Sequence, residues 1–268
     1  MLASISNNER QHLVQDLINQ LDQHSEVKTK QWFDNYLNGA ITYRGVKTPL
    51  VTKLVKQWHN QHQLIQYTPE VQLSLCTHLI SSPWAEDKFA GTIYIQKFLL
   101  SELRYSALLK TCGTLFQQGC FFDWSTTDWF CTRVLDPIII EHGVDAARII
   151  ADGRFSNNLW QRRSSIVSFR HASSDSQYHP LVEKIIADLL PSDERFIQTG
   201  IGWVLADMSK PYPKKAEALF RRYMHQLSKE VIDRHTKHLD CQSILKKLKR
   251  SLLLEHKCSG STTPQRES

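Results

Sequence analysis

The chain has 268 residues, 41% of them hydrophobic, and a formal net charge of +6, enough to bury a sizeable core as one large domain or two small ones. With 10 Gly and 9 Pro it is neither collagen-like nor dominated by linkers, and no apolar run approaches the ~18 residues of a membrane-spanning helix. The charge is uneven: from residue 201 onward 14 Lys/Arg stand against 7 Asp/Glu, a net of +7, while the first 200 residues net −1. That asymmetry fits an anionic partner such as nucleic acid or a membrane surface, and equally a solvated helix face.

In chain order, the polar stretch Met1 to Arg10 has no signal-peptide apolar core, so the expected compartment is the cytoplasm. Apolar residues then recur at helical spacing: Leu13, Leu17 and Leu21; Leu50, Leu54 and Trp58; Phe89, Ile93, Phe98 and Leu99; Ile139, Val144, Ile149 and Ile150; Leu181, Ile185 and Leu189. No strand-length alternation of period two occurs. Breakers stand at Gly39, Gly45 and Pro49, then Pro69, Pro83, Gly119, Pro137, Gly153, Pro191, Pro211 and Pro213. Most are separated by about one helix and its turn. Paired, these helices form units of roughly 30 to 40 residues, the period of α-solenoids. The expected fold is all-α, a HEAT-like or armadillo-type solenoid of paired antiparallel helices with a concave basic face. Residues 1–257 would form one domain without an internal linker, and 258–268, CSGSTTPQRES, a disordered tail.

Motifs for nucleotide or metal chemistry are missing: no GxGxxG, GxxxxGK[ST], HExxH or GxSxG is found. The pairs His59/His62 and His235/His238 have metal-ligand spacing but no carboxylate partner that closes a site, and read better as surface histidines. The six cysteines form no CxxC and fit buried, reduced thiols. No cofactor or metal is expected.

Three segments break the pattern. In Phe121–Phe130, Asp128 follows Trp124 by four residues and shares its helix face; the plainer reading is a helix capped by Asp123 or Ser125 with Asp128 solvated. In Ser156–Val167, Ser156 or Asn157 could cap a helix. Arg163 there could reach a phosphate with its planar fork or form a surface ion pair. In Phe196–Lys210, Gly200 and Gly202 each cost a helix about 1 kcal/mol, which implies close approach by another helix or a ligand beside Trp203.

Together these segments resemble the DNA alkylation repair family, the AlkD-like DNA glycosylases with HEAT-like repeats. The resemblance runs from about Tyr36 to Leu239. It includes Tyr43-Arg44-Gly45-Val46-Lys47-Thr48-Pro49, Trp124-Ser-Thr-Thr-Asp128, Asn158-Leu-Trp160-Gln-Arg162-Arg163 and Ile197-Gln-Thr-Gly-Ile-Gly-Trp203-Val-Leu. It implies hydrolytic excision of positively charged N3- or N7-alkylated purines from duplex DNA without extruding the base, unlike most base-processing enzymes. By the same resemblance Asp128 is the catalytic carboxylate, Trp124 and Trp203 pack on the lesion-bearing backbone, and Arg163 and Tyr36 contact DNA, with Arg162 and Lys210 as further contacts. Arg221, Arg222, Lys246, Lys247, Lys249 and Arg250 would neutralise phosphates. The chain departs from the family at Ala206-Asp207, where members often carry a polar pair such as Arg-Glu.

The expected protein is therefore a monomeric, monofunctional glycosylase on alkylated double-stranded DNA, with no membrane or obligate protein partner. A non-catalytic DNA-binding protein of the same family and a helical-repeat protein-interaction scaffold are the alternatives.

Overall fold

The computed structural model describes residues 5–259, with residues 256–259 described by backbone alone. The helices are α1 (Asn7–Gln23), α2 (Val27–Leu37), α3 (Thr48–Gln61), α4 (Pro69–Ser81), α5 (Ala85–Tyr94), α6 (Tyr105–Gln117), α7 (Trp124–Phe130), α8 (Asp136–Ala151), α9 (Leu159–Val167), α10 (His179–Leu189), α11 (Arg195–Met208), α12 (Pro213–Arg222), α13 (Lys229–His235) and α14 (Gln242–Ser259). Among the described residues there is no strand, only one isolated bridge between Thr42 and Trp84. The chain is all-α as expected. It divides into two compact units between Ser164 and Ser165, inside α9. Of the expected tail, Cys258 and Ser259 are the last residues of α14; the rest lies outside the described residues. No helix among the described residues is long and apolar enough to cross a membrane.

In the unit ending at Ser164, α1 buries Leu13, Val14, Leu17 and Leu21 and packs against α3 and α4. Pro49 and Pro69 sit in the first turns of α3 and α4, where their missing N–H has no helical partner to lose. Helices α4 and α5 pack closely because Gly91 lacks a side chain: a Cβ there would lie 2.7 Å from the Cys76 carbonyl oxygen. The expected apolar faces hold with local departures. Leu50 and Phe98 are half-buried and Ile149 is 49% exposed.

The Tyr43–Val46 segment is fastened to α5 by two buried acids. The backbone N–H groups of Arg44, Gly45 and Val46 donate to the Glu86 carboxylate at 2.8–2.9 Å. Arg44 donates from Nε and Nη2 to Asp87, both at 2.9 Å, and from Nη1 to Asp22. Burial alone would lower the Arg44 pKa, but its carboxylate partners more than offset this and raise it. Gly45 has φ +104, and a Cβ there would meet the Glu26 carbonyl at 2.5 Å, so both conformation and space require glycine. The latch seats Tyr43 flat on Phe33 of α2, ring centroids 4.2 Å apart.

Pro137 does not end a helix as its breaker role suggested. A π-helical segment, Cys131–Leu135, joins α7 to α8, and Leu135 and Asp136 keep right-handed helical dihedrals. The wider turn shifts the carbonyl that a proline ring would strike in a regular helix. The break falls instead at Gly143, with φ 70 and ψ −152. A second π-helical segment, Ile95–Leu99, follows α5.

In the unit beginning at Ser165, α11 packs against α12 and α13, and α13 against α14. A Cβ on Gly202 would lie 2.6 Å from the His235 ring and 2.9 Å from Val231. The close approach beside Trp203 is therefore made by a helix, α13. Lys249, expected at a phosphate, is instead 5% exposed and donates from Nζ to the Met224 carbonyl at 2.9 Å. It lies four residues after the buried Leu245, on the inner stripe of α14.

Candidate functional site

Helix α7 begins at Asp123. Its Oδ1 accepts the backbone N–H groups of Ser125 and Thr126 at 2.8 and 3.1 Å and the Ser125 hydroxyl at 2.6 Å, while Oδ2 accepts the Thr126 hydroxyl. This cap fixes the first turn and so the direction of Trp124 and Asp128. Asp128 is not solvated: it is 6% exposed, and Arg163 donates to it from Nε and Nη2, both at 2.8 Å. Arg163 is 4% exposed, so the pair is buried and bidentate, not the surface ion pair the sequence also allowed. A buried charge of this kind holds its partner firmly, and removing either member leaves the other stranded.

Arg163 comes from α9, whose cap is Asn158, not Ser156 or Asn157. Asn158 Oδ1 accepts the N–H groups of Trp160 and Gln161 at 2.9 and 3.0 Å, and Nδ2 donates to the Phe116 carbonyl at 2.8 Å. That second bond ties α9 to the end of α6 and helps fix where Arg163 starts. Arg162, next along the helix, is half-buried.

Trp124 is half-buried, and Tyr36 meets it edge-to-face, ring centroids 5.8 Å apart. Tyr36 in turn stacks on Trp32 at 5.1 Å with the planes 13° apart. Tyr36 is 60% and Trp32 58% exposed. The structure thus brings together Tyr36, Trp124, Asp128 and Arg163, all in the unit ending at Ser164.

Trp203 and Lys210 belong to the other unit. The Arg170 guanidinium carbon lies 3.6 Å from the Trp203 ring centroid, within cation–π range. Arg170 Nε donates to Asp207 at 2.6 Å, and Lys210 Nζ to the other Asp207 oxygen at 2.8 Å. Lys210 is exposed. Asp207 is therefore the residue that holds Arg170 over the indole. Sequence reasoning missed Arg170, and it missed Trp32. The available signals were a second Trp-x-x-x-Asp spacing, Trp203 to Asp207, and the four-residue spacing of Trp32 and Tyr36.

Other expected residues are placed differently. His59 is 8% exposed, stacked 4.0 Å from Phe98 and hydrogen-bonded to the Tyr94 hydroxyl at 2.8 Å; burial lowers its pKa. It is a core residue, not a surface one. His62 contacts Asp16 at 2.8 Å. No group of three or more metal-ligating side chains exists among the described residues. Cys76, Cys112, Cys120 and Cys131 are buried and form no disulfide. Of the cations expected at phosphates, Arg221 pairs with Glu217 and Arg222 with Glu183, while Lys247 and Arg250 are exposed.

Two further buried groups sit beneath the site. Lys88, 1% exposed, donates from Nζ to the carbonyls of Ile80, at 2.6 Å, and Cys120. Burial pushes its pKa down to about 8. Burial also raises the Tyr43 hydroxyl pKa above its usual value.

A sequence model of the DNA alkylation repair enzyme family matches residues 17–239. The chain belongs to this family. Comparison with curated protein sequences gives no match. Among solved structures, the chain is similar to a predicted DNA alkylation repair enzyme from Enterococcus faecalis. The TM-score is 0.68 at 18% identity, covering 81% of this chain and 97% of that one. At that identity the likeness is one of fold, the helical-repeat fold of the family.

Proposed function

We propose that the chain is a monofunctional DNA glycosylase that hydrolyses the N-glycosidic bond of N3- or N7-alkylated purines in duplex DNA without extruding the base. The observation that carries this reading is the fixed Asp128 carboxylate, one helical turn from the half-buried face of Trp124. An alkylated purine bears a positive charge and leaves without a general acid. As the bond breaks, positive charge develops on the sugar, and a preorganised carboxylate stabilises it. Water then adds at the anomeric carbon, leaving an abasic site and the free base. Trp124 and Trp203 would pack on the backbone, where indole faces exclude water and attract partial positive charge.

Tyr36, Arg162, Arg163 and Lys210 would contact the DNA, and the C-terminal charge excess would help neutralise its phosphates. The protein would act as a monomer in the cytoplasm and would need no metal or cofactor. The test is incubation with duplex DNA holding one N7-alkylguanine, scored for alkali-labile breaks. The wild type should release the base and Asp128→Asn should do so about 10²–10³ times more slowly; equal rates would overturn the assignment of Asp128.

A non-catalytic DNA-binding role is favoured by one observation: Arg163 already neutralises Asp128 at two points. Binding of the alkylated duplex without base release would establish that reading. In either case Arg163→Ala should lower the salt slope of DNA binding by about 1 if the guanidinium meets a phosphate.

A further inference from the structure

Helix α2 carries a stripe of which the Asp128 site uses only the last residue, Tyr36. Lys28, Trp32 and Tyr36 follow one another at four-residue intervals and are all exposed, so they line one face of the helix. Trp32 is 58% exposed, unusual for so large an apolar side chain. Tyr36 covers one face of its indole and the Phe33 edge approaches at 4.9 Å, so the accessible area lies on the opposite face. Glu26, Lys28, Thr29, Trp32, Phe33 and Lys47 line an open cleft there. Of its charged residues, Lys47 pairs with Glu26. Lys28 is the cleft cation with no ion pair among the described residues.

We propose that Trp32 and Lys28 form a binding site for one unstacked nucleotide of a DNA strand, the base stacking on the free face of Trp32 and its phosphate meeting Lys28. A flat indole accepts any base, because every base has a π-face, and an adjacent lysine supplies the backbone charge; this is the pairing that single strands require. A protein partner would call for a broader apolar surface, whereas the cleft offers one free indole face beside one cation. The stripe is continuous through Tyr36 with Trp124. The inference rests on the DNA reading above and extends it, placing an unpaired nucleotide away from Asp128.

The experiment compares two labelled, undamaged duplexes by fluorescence anisotropy, one fully paired and one with a single bulged thymidine. Trp32→Ala should weaken binding of the bulged duplex by about five- to a hundredfold and change binding of the paired duplex less than about twofold. Trp32→Phe should keep most of the affinity, and Lys28→Gln should lower the salt slope on the bulged duplex by about 1. Unchanged binding of the bulged duplex by Trp32→Ala would overturn the proposal, as would equal weakening of both duplexes, which would mark a groove contact. Circular dichroism and melting of each variant control for folding. Because neither duplex is a substrate for excision, failure of the glycosylase reading would appear in the base-release assay and not here.

Discussion

Trp124 and Trp203 occupy sites built on the same plan with different results. Each begins a Trp-x-x-x-Asp spacing, and each aspartate is paired with an arginine, Asp128 with Arg163 and Asp207 with Arg170. At Trp124 the arginine gives both prongs of its fork to the carboxylate and the indole meets Tyr36 edge-to-face. At Trp203 the arginine donates from Nε to the carboxylate and lies over the indole. The side chains of the first pair are 5% and 8% exposed, those of the second 19% and 13%. One spacing thus yields a rigid, buried carboxylate in one unit and a tryptophan clasped by a cation in the other. The pattern fixes which groups share a face; burial decides what they do.

The widest separation should come from removing the arginines. Arg163→Ala strands a buried carboxylate and should cost about 3–5 kcal/mol, whereas Arg170→Ala loses a cation–π contact and a partly exposed pair and should cost about 1 kcal/mol. Urea unfolding curves measure both, and equal losses would break the comparison. The aspartates come next. Asp128→Asn should slow single-turnover excision by about 10²–10³ with nearly unchanged binding to undamaged DNA, while Asp207→Asn should slow it by less than about tenfold, since it acts only through Trp203.

The two buried lysines sharpen the contrast through pH. Lys88 and Lys249 each donate to carbonyls, and burial lowers both pKa values, that of Lys88 from 10.5 to about 8. Between about pH 8 and 10.5 the unfolded chain holds a proton on Lys88 that the folded chain has released, so its contribution to stability rises with pH across that window. The wild type should gain on the order of 3 kcal/mol over Lys88→Met from one end to the other, and less over Lys249→Met. A flat difference would mean that Lys88 stays charged. The glycines give the smallest contrast. Gly91→Ala would press on the Cys76 backbone and should cost about 1–3 kcal/mol. Gly202→Ala meets only side chains, His235 and Val231, and its shift in melting temperature should be smaller.

The helices were legible in the sequence because their apolar residues repeat at 3.6-residue spacing and prolines mark their starts. What escaped were facts set by packing. His59 looked like a surface residue beside His62, yet it continues the buried stripe of Val51 and Val55. Lys249 looked like one cation of a basic run, yet it follows Leu245 on the inner face of α14. Asp123 was readable as a cap because the signal is local. The contact between Asp128 and Arg163 joins residues 35 apart in the chain, and no periodicity announces it. The division inside α9 carries no linker signature, since a helix runs through it.

The π-helical segment after α7 makes the site sensitive to chain length as well as to residue identity. Each residue in a regular helix advances about 100° around the axis, and the wide turn at Cys131–Leu135 takes up the extra advance between Asp128 and α8. A single lost codon in that segment would let the turn relax to regular helix, and α8 could keep its packing. Trp124 and Asp128 would then keep their register with α8, because the residue lost is the one the wide turn had absorbed. An inserted codon, by contrast, exceeds what the one wide turn takes up and would rotate Asp128 about a quarter-turn or more away from Arg163, a change that no substitution at Asp128 itself would reproduce.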